Sequence, residues 1–129
     1  MKIDDSLYEL FKKEAEYWLE KFGLTDWNVN FSHEDLNRPD RWSQVSYNWI
    51  GREVTISLNT QIDDKEIPKE RTKLEKEIRK SAFHEIMHLV LADLEICARS
   101  REFNVDTLET ILHACIHRLE KVLFDGDAR

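Results

Sequence analysis

The chain has few residues of the kinds that interrupt, cross-link or anchor a fold. Its 129 residues include three glycines, two prolines and two cysteines. Cys97 and Cys115 lie in apolar surroundings without CxxC spacing, which favours buried, reduced thiols over a disulfide or a cysteine-based metal site. No stretch approaches the ~20 apolar residues of a membrane span, and the first residues lack the apolar core of a signal peptide. We therefore expect a cytoplasmic protein that does not enter a membrane.

Positive charge is also in short supply. Asp and Glu number 26 against 19 Lys and Arg, which gives a formal net charge of −7 at pH 7. Nucleic-acid binding depends on clustered Lys and Arg around the phosphate backbone. The basic clusters here are short, as in Lys69-Glu70-Arg71. The composition therefore argues against nucleic acid as a partner.

The chain does have enough apolar side chains to build a core. Hydrophobic residues make up 41% of it and aromatic residues 10%, which is too rich a mixture for a disordered protein. There are no repeats, low-complexity tracts or linkers long enough to divide the chain. One domain covering residues 1–129 is therefore expected.

The spacing of apolar residues in the first half predicts one helix followed by three strands. The helix is predicted over residues 6–22. Three runs then alternate with a period of two, and the last two are joined at Gly51-Arg52 as a hairpin. The runs are Trp27, Val29 and Phe31; Val45, Tyr47 and Trp49; and Val54, Ile56 and Leu58. These features predict a small sheet with one buried face.

The second half is predicted to be helical. A long helix is expected over residues 69–98, with a break at residues 99–104 and a last helix over residues 105–123. The order of elements is thus helix, three strands, helix, helix. This order predicts an α+β fold.

Two histidines stand four positions apart in the long helix, in the segment His84-Glu85-Ile86-Met87-His88. Side chains at positions i and i+4 lie about 5–6 Å apart at Cβ, so both imidazoles can bind one ion. A catalytic zinc site keeps one of four positions for water. Glu85 lies about 100° around the helix from His84, where it can take a proton from that water. The motif predicts a zinc-dependent hydrolase that cleaves peptide bonds through a zinc-bound water activated by Glu85.

A second hypothesis keeps the metal without the chemistry. In it, the chain is a non-catalytic module in which zinc is structural and the surface binds a protein partner. Four protein ligands would leave no position for water and would favour this hypothesis. The presence of Glu85 favours the catalytic one, because a purely structural site has no need of that carboxylate.

The third zinc ligand must come from outside the motif. If the two C-terminal helices fold back as antiparallel neighbours, the motif lies opposite residues 114–118, within about one turn. His113 and His117 fall there, and Glu109 is roughly 7 Å short along the axis. Asp106 and Glu109 also resemble a helix-capping pair, which would occupy the Glu109 carboxylate. We rank His113 first, Glu109 second and His117 third, and His117 could instead donate a hydrogen bond to a developing oxyanion.

Three aromatic residues near the hairpin could line a peptide groove. They are Trp42, Tyr47 and Trp49. Aromatic side chains that alternate along a strand are more often core residues or cross-strand pairs. We therefore place all three outside the site.

The segment from Ala82 to Ala92, which contains the HExxH motif, resembles the active-site helix of small phage-type metallopeptidases within the zincin and SprT-like group. Similar patterns at Trp27-Asn28-Val29, in the hairpin and near residues 116–120 extend the resemblance over most of the chain. It implies a zincin-like fold, zinc on His84 and His88, and Glu85 as the general base. It also implies an edge strand, expected at residues 54–58, that pairs with an extended peptide or protein substrate. A histidine at 113 departs from gluzincins such as thermolysin, in which the third ligand is a glutamate on the next helix.

Overall fold

The chain forms an α+β fold of helices packed against a three-stranded sheet. The computed structural model describes residues 1–100 and 104–124. The elements are α1 (Asp5–Lys21), β1 (Asn28–Glu34), β2 (Ser43–Asn48), β3 (Glu53–Asn59), a short 3-10 helix (Asp64–Glu66), α2 (Arg71–Val90), α3 (Ala92–Arg99) and α4 (Val105–Leu123). None of the helices in these described ranges is long and apolar enough to cross a membrane.

Helix α1 confirms the first predicted helix to within one residue at each end. Asp4 caps its start, because a carboxylate oxygen accepts a 3.0 Å hydrogen bond from the Leu7 amide. Its buried residues, Leu7, Phe11 and Ala15, recur every four positions and so lie on one face. That face packs against α2. Gly23, with φ at +66°, provides the left-handed turn that ends the helix.

The sheet has the strand order β1-β3-β2, with β1 parallel and β2 antiparallel to β3. The predicted β2–β3 hairpin is therefore confirmed. The expectation that residues 54–58 form an edge strand is wrong, because β1 occupies the second side of β3 and pairs Phe31 with Ile56. Val54, Ile56 and Leu58 are at most 1% exposed. The central strand β3 therefore carries the buried residues of the sheet. Strand β2 is an edge strand, and it is the one that lies next to α2.

The hairpin turn is longer than the sequence predicts. Trp49 lies in the turn after β2, not in the strand. The Asn48 side chain accepts hydrogen bonds from the amides of Ile50 and Gly51, and the left-handed φ of +52° falls on Arg52. An asparagine side chain that bonds two following amides stabilises a turn without a glycine at its left-handed position.

The prediction of one long helix over residues 69–98 is wrong in one respect. The helix breaks at Leu91, which separates α2 from α3. Helical hydrogen bonds continue on both sides, from the Leu91 amide to Met87 and from the Glu95 amide to Leu91. The Val90 carbonyl accepts a 3.4 Å hydrogen bond from the Cys115 thiol, so α4 docks at this bend. No glycine or proline marks the break, so the local sequence pattern gives no sign of it.

Helix α4 confirms the bounds predicted for the last helix. Its cap is Asn104, whose side chain accepts a 2.8 Å bond from the Thr107 amide. The proposed capping pair at Asp106 and Glu109 is therefore wrong. Both cysteines are free and buried, as predicted. Of the predicted break at residues 99–104, positions 101–103 lie outside the described residues.

Candidate active site

The two histidines of the motif open onto a cavity between α2 and the edge strand β2. His84 and His88 are exposed, one turn apart on α2, with ring centroids separated by 5.0 Å. The cavity measures about 710 Å³ and includes Glu85 and Ser43 in its wall. The helical spacing thus places two imidazoles and a carboxylate on one concave surface, as the sequence predicts.

Glu85 is a buried acid in the wall of this cavity. Only 4% of its surface is exposed, and its Oε1 accepts a 3.1 Å hydrogen bond from the Ser43 hydroxyl. Burial raises the pKa of Glu85 above its ordinary value, while the Ser43 hydrogen bond and the nearby His84 and His88 oppose that rise. A carboxylate with a raised pKa in a cleft is suited to proton transfer.

Three side chains of β2 and the turn after it, all at odd-numbered positions, form hydrogen bonds with α2 and α3. Ser43 donates to Glu85, Tyr47 donates a 2.6 Å bond to Glu95, and the Trp49 indole that follows the strand donates a 2.7 Å bond to Asp93. This alternation places one face of β2 against α2 and α3. Within the described ranges, residues 43–48 make no backbone hydrogen bond outside the sheet, so the second edge of β2 is open.

Arg52 connects α3 to the hairpin through polar contacts. Arg52 bonds both carboxylate oxygens of Asp93, at 2.8 and 3.2 Å, contacts Asp26 at 3.1 Å and stacks on the Trp27 ring. Partial burial raises the pKa of Asp93, but hydrogen bonds from Arg52 and Trp49 outweigh it, and the net pKa is lowered. This ion pair holds the start of α3 beside the hairpin.

The histidine ranked first as the third ligand lies elsewhere. His113 is exposed on α4 and lines a separate pocket with Glu109 and His117. The assumed antiparallel pairing ends at Leu91, because α4 packs against α3 and meets the end of α2 at the Cys115–Val90 contact. His113 therefore stays a prediction as a zinc ligand, and its placement does not bring it to His84 and His88.

The cavity does not bring together a full set of metal-binding side chains among the described residues. Across residues 1–100 and 104–124, no three His, Cys, Asp or Glu side chains are grouped closely enough to hold an ion. The site as described has two imidazoles on one face, with Glu85 behind them. A further acid, Glu95, lines the same cavity from α3.

Sequence reasoning missed three residues of this site: Ser43, Tyr47 and Glu95. Ser43 had no distinguishing signal, because its contact with Glu85 spans 42 positions. The sequence predicts Tyr47 to be a core residue or a cross-strand pair, and it does pack against the core, but it also lines the cavity beside Trp42. Glu95 had a signal, since it follows His88 by seven positions, which is close to two full helical turns.

Comparison of the chain with protein-family models, with curated proteins and with solved structures gives no match.

Proposed function

We propose that this protein is a zinc-dependent metallopeptidase of zincin-like architecture, with zinc on His84 and His88 and Glu85 as the general base. One observation carries the proposal. Two imidazoles and a buried glutamate, supplied by one helix, share a cavity beside an open strand edge. Imidazole is a preferred zinc donor, so the chemistry of the donor set fits this ion.

Zinc held there would act as a Lewis acid and lower the pKa of water from about 15.7 to about 7. The chain's own residues then have separate tasks. Glu85 accepts the proton of the attacking water and passes it to the leaving amine. Ser43 holds the carboxylate of Glu85 through the 3.1 Å hydrogen bond, which fixes the direction in which the proton moves.

The substrate groove in this proposal runs along β2. An extended peptide can add to an open edge strand through backbone hydrogen bonds, and this edge borders the cavity that holds the motif. A second depression of about 630 Å³ continues the groove and shares Val45, Tyr47 and Glu95 with the first. Trp49 and Ile96 add apolar surface to its lining, next to the polar Arg99 and Ser100, and this apolar surface favours contact with an apolar or aromatic side chain.

The test compares the wild type with Glu85→Gln. Both proteins are purified, their bound metal is measured by elemental analysis, and both are incubated with a diverse peptide library. We expect about one zinc per chain in both and cleavage by the wild type alone. Glu75→Gln is the matched control, because it makes the same chemical change on α2 at a residue paired with Arg71 outside the cavity.

Two results would contradict the proposal. A wild type that takes up no zinc after reconstitution removes its basis. Zinc uptake without cleavage of any library member favours the alternative, a non-catalytic module that binds metal or a protein partner.

A further inference from the structure

The groove beside β2 has a defined direction relative to the helices. Ser43, at the start of β2, donates to Glu85, and Tyr47, four residues further along, donates to Glu95. Residue numbers therefore increase in the same direction along both walls of the groove. Four residues of extended strand span about 13 Å, so Tyr47 lies roughly that far from Ser43. The groove has one end that precedes the motif and another that follows it.

Two cations lie at the end that precedes the motif. Arg41 comes two residues before Ser43, and Lys80 comes one helical turn before His84. Both are exposed and line the cavity of the motif. Arg41 donates a 3.2 Å hydrogen bond to the Gln44 amide oxygen. Within residues 1–100 and 104–124, neither cation forms an ion pair, so both charges can meet an anion in the groove.

The position of Arg41 is fixed through its backbone. The fully buried Asn59 side chain donates a 2.8 Å hydrogen bond to the Arg41 carbonyl, and the Asn59 amide donates a 2.9 Å bond to the Trp42 carbonyl. The charge of Arg41 is one of the influences that oppose the rise in the pKa of Glu85 caused by burial. Arg41 therefore extends from a fixed point at the rim and acts electrostatically inside the cavity.

One acid accompanies the two cations. Glu77 is half-buried on α2 and lines the same cavity. Among the described residues it forms no ion pair with either cation. Arg41 and Lys80 less Glu77 give this end a formal charge of +1, in a chain whose net charge is −7.

The end that follows the motif has a different character. Its acid, Glu95, is paired with Arg99 at 2.9 Å. Tyr47, Trp49 and Ile96 supply aromatic and apolar surface there. The two ends of the groove thus differ in charge and in polarity.

We propose that the groove selects peptides with an acidic side chain on the Arg41 side of the cleaved bond and an apolar or aromatic side chain on the Tyr47 side. This inference rests on the proposed function and specifies its class of substrate. Charges that line a cleft attract ligands of opposite sign and fix their orientation. With the cleaved bond beside Glu85 and Ser43, the acidic side chain lies about two residues away and the apolar one about four. Arg41 and Lys80 select the substrate and take no part in the chemistry.

The test uses peptides with one phenylalanine and, at successive positions on either side of it, either glutamate or the neutral glutamine. Cleavage by the wild type gives kcat/KM for each pair, and fluorescence anisotropy gives the affinity of each labelled peptide for the Glu85→Gln protein. We expect glutamate to be preferred about fivefold at one position. The preference should shrink at about 0.5 M salt, because salt screens exposed charges.

Substitutions assign the preference to the two cations. Arg41→Gln and Lys80→Gln should each reduce it, and the double variant should abolish it. Glu77→Gln should increase it, because the opposing charge is removed. Lys76→Gln is the matched control, since it makes the same change one turn earlier on α2, outside the cavity. Circular dichroism verifies that each variant is folded.

The results separate this inference from the proposed function. Cleavage with equal rates for glutamate and glutamine at every position overturns the inference and leaves the metallopeptidase intact. A preference that survives in the double variant also overturns it, because the selectivity then comes from other residues. If the wild type cleaves no peptide, binding decides. Glutamate-dependent binding to the Glu85→Gln protein that is lost when Arg41 and Lys80 are replaced supports the acidic-peptide groove without the chemistry, and no binding contradicts both.

Discussion

The Ser43 hydroxyl donates a 3.1 Å hydrogen bond to Oε1 of Glu85 and so joins the first residue of the edge strand to the acid of the motif. The two residues are 42 positions apart. Their contact fixes the distance between β2 and α2 at the point where the groove meets the two histidines. If a peptide lies along β2, this bond sets the position of the general base relative to it.

Replacement of Ser43 by alanine should therefore slow the reaction without removing the metal. A single hydrogen bond to a charged group contributes about 1.5 kcal/mol, so we expect kcat to fall by about tenfold and zinc content to stay unchanged. Steady-state kinetics and elemental analysis measure the two quantities. Ser43→Thr keeps a hydroxyl and should be closer to the wild type, and a kcat for Ser43→Ala within twofold of the wild type would contradict this role.

The Arg52–Asp93 pair should stabilise the fold only while Asp93 is ionised. Because the pKa of Asp93 is lowered in the folded state, its contribution is present above the unfolded pKa of about 4 and is lost as the pH falls through the folded value. We expect Asp93→Asn to lower the free energy of unfolding at pH 7 by about 1 kcal/mol. Urea unfolding from pH 7 down to pH 2.5 measures the difference.

The matched control for this pair is Asp40→Asn, which alters an exposed carboxylate 3.6 Å from Arg38. Its free energy of unfolding should stay within about 0.5 kcal/mol of the wild type. A difference between wild type and Asp93→Asn that persists at the lowest pH would show that it does not come from the charge of Asp93.

Tyr47 should make the protein sensitive to alkali. Burial, together with the hydrogen bond and charge of Glu95, raises the pKa of Tyr47 to about 12. Its contribution to stability is complete below the unfolded pKa of about 10 and is lost as the pH rises toward the folded value. We expect Tyr47→Phe to show a shallower fall in thermal midpoint between about pH 10 and pH 12. Tyr17→Phe, at a half-exposed tyrosine on α1, should follow the wild-type curve.

Outside the site, replacement of Asn59 should lower the free energy of unfolding more than replacement of most other polar residues. Its fully buried side chain donates to the carbonyls of Arg38 and Arg41 and accepts from the amides of Leu36 and Gln61. Alanine would leave these buried groups without partners, so we expect a loss of about 3 kcal/mol in the free energy of unfolding. Urea denaturation checks this value.

The exposed Asn30 on β1 provides a comparison, since Asn30→Ala should change the free energy of unfolding by less than about 0.5 kcal/mol. Equal effects of the two substitutions would mean that the Asn59 network does not hold the loop before β2.

The parts of the fold that the sequence predicts correctly are those encoded by local periodicity. The bounds of α4 and the β2–β3 hairpin follow from the spacing of apolar residues and are confirmed. The strand order is different, because the pairing of β1 with β3 joins segments about 25 residues apart and leaves no local pattern. The same applies to the break at Leu91, which no glycine or proline in the local sequence marks.

In the candidate site, too, the sequence predicts the residues that share one helix and misses those brought together by tertiary structure. His84, Glu85 and His88 share one helix, so a spacing of four positions was enough to place them together. His113 would face the motif only if two straight helices lay side by side, and the helix that carries the motif ends at Leu91. The seven positions from His88 to Glu95 fit the same helical period, so the sequence does carry a signal that Glu95 faces the same side as the motif.

An open strand edge next to a groove is also a surface on which two copies of the chain could join and aggregate. Strand β2 reads Ser-Gln-Val-Ser-Tyr-Asn, with its apolar and aromatic members, Val45 and Tyr47, on the face turned to the helices. The alternate residues, Gln44, Ser46 and Asn48, are polar. A short, mostly polar edge is a poor template for a second strand of the same kind, so we expect this edge to resist pairing between two copies of the chain.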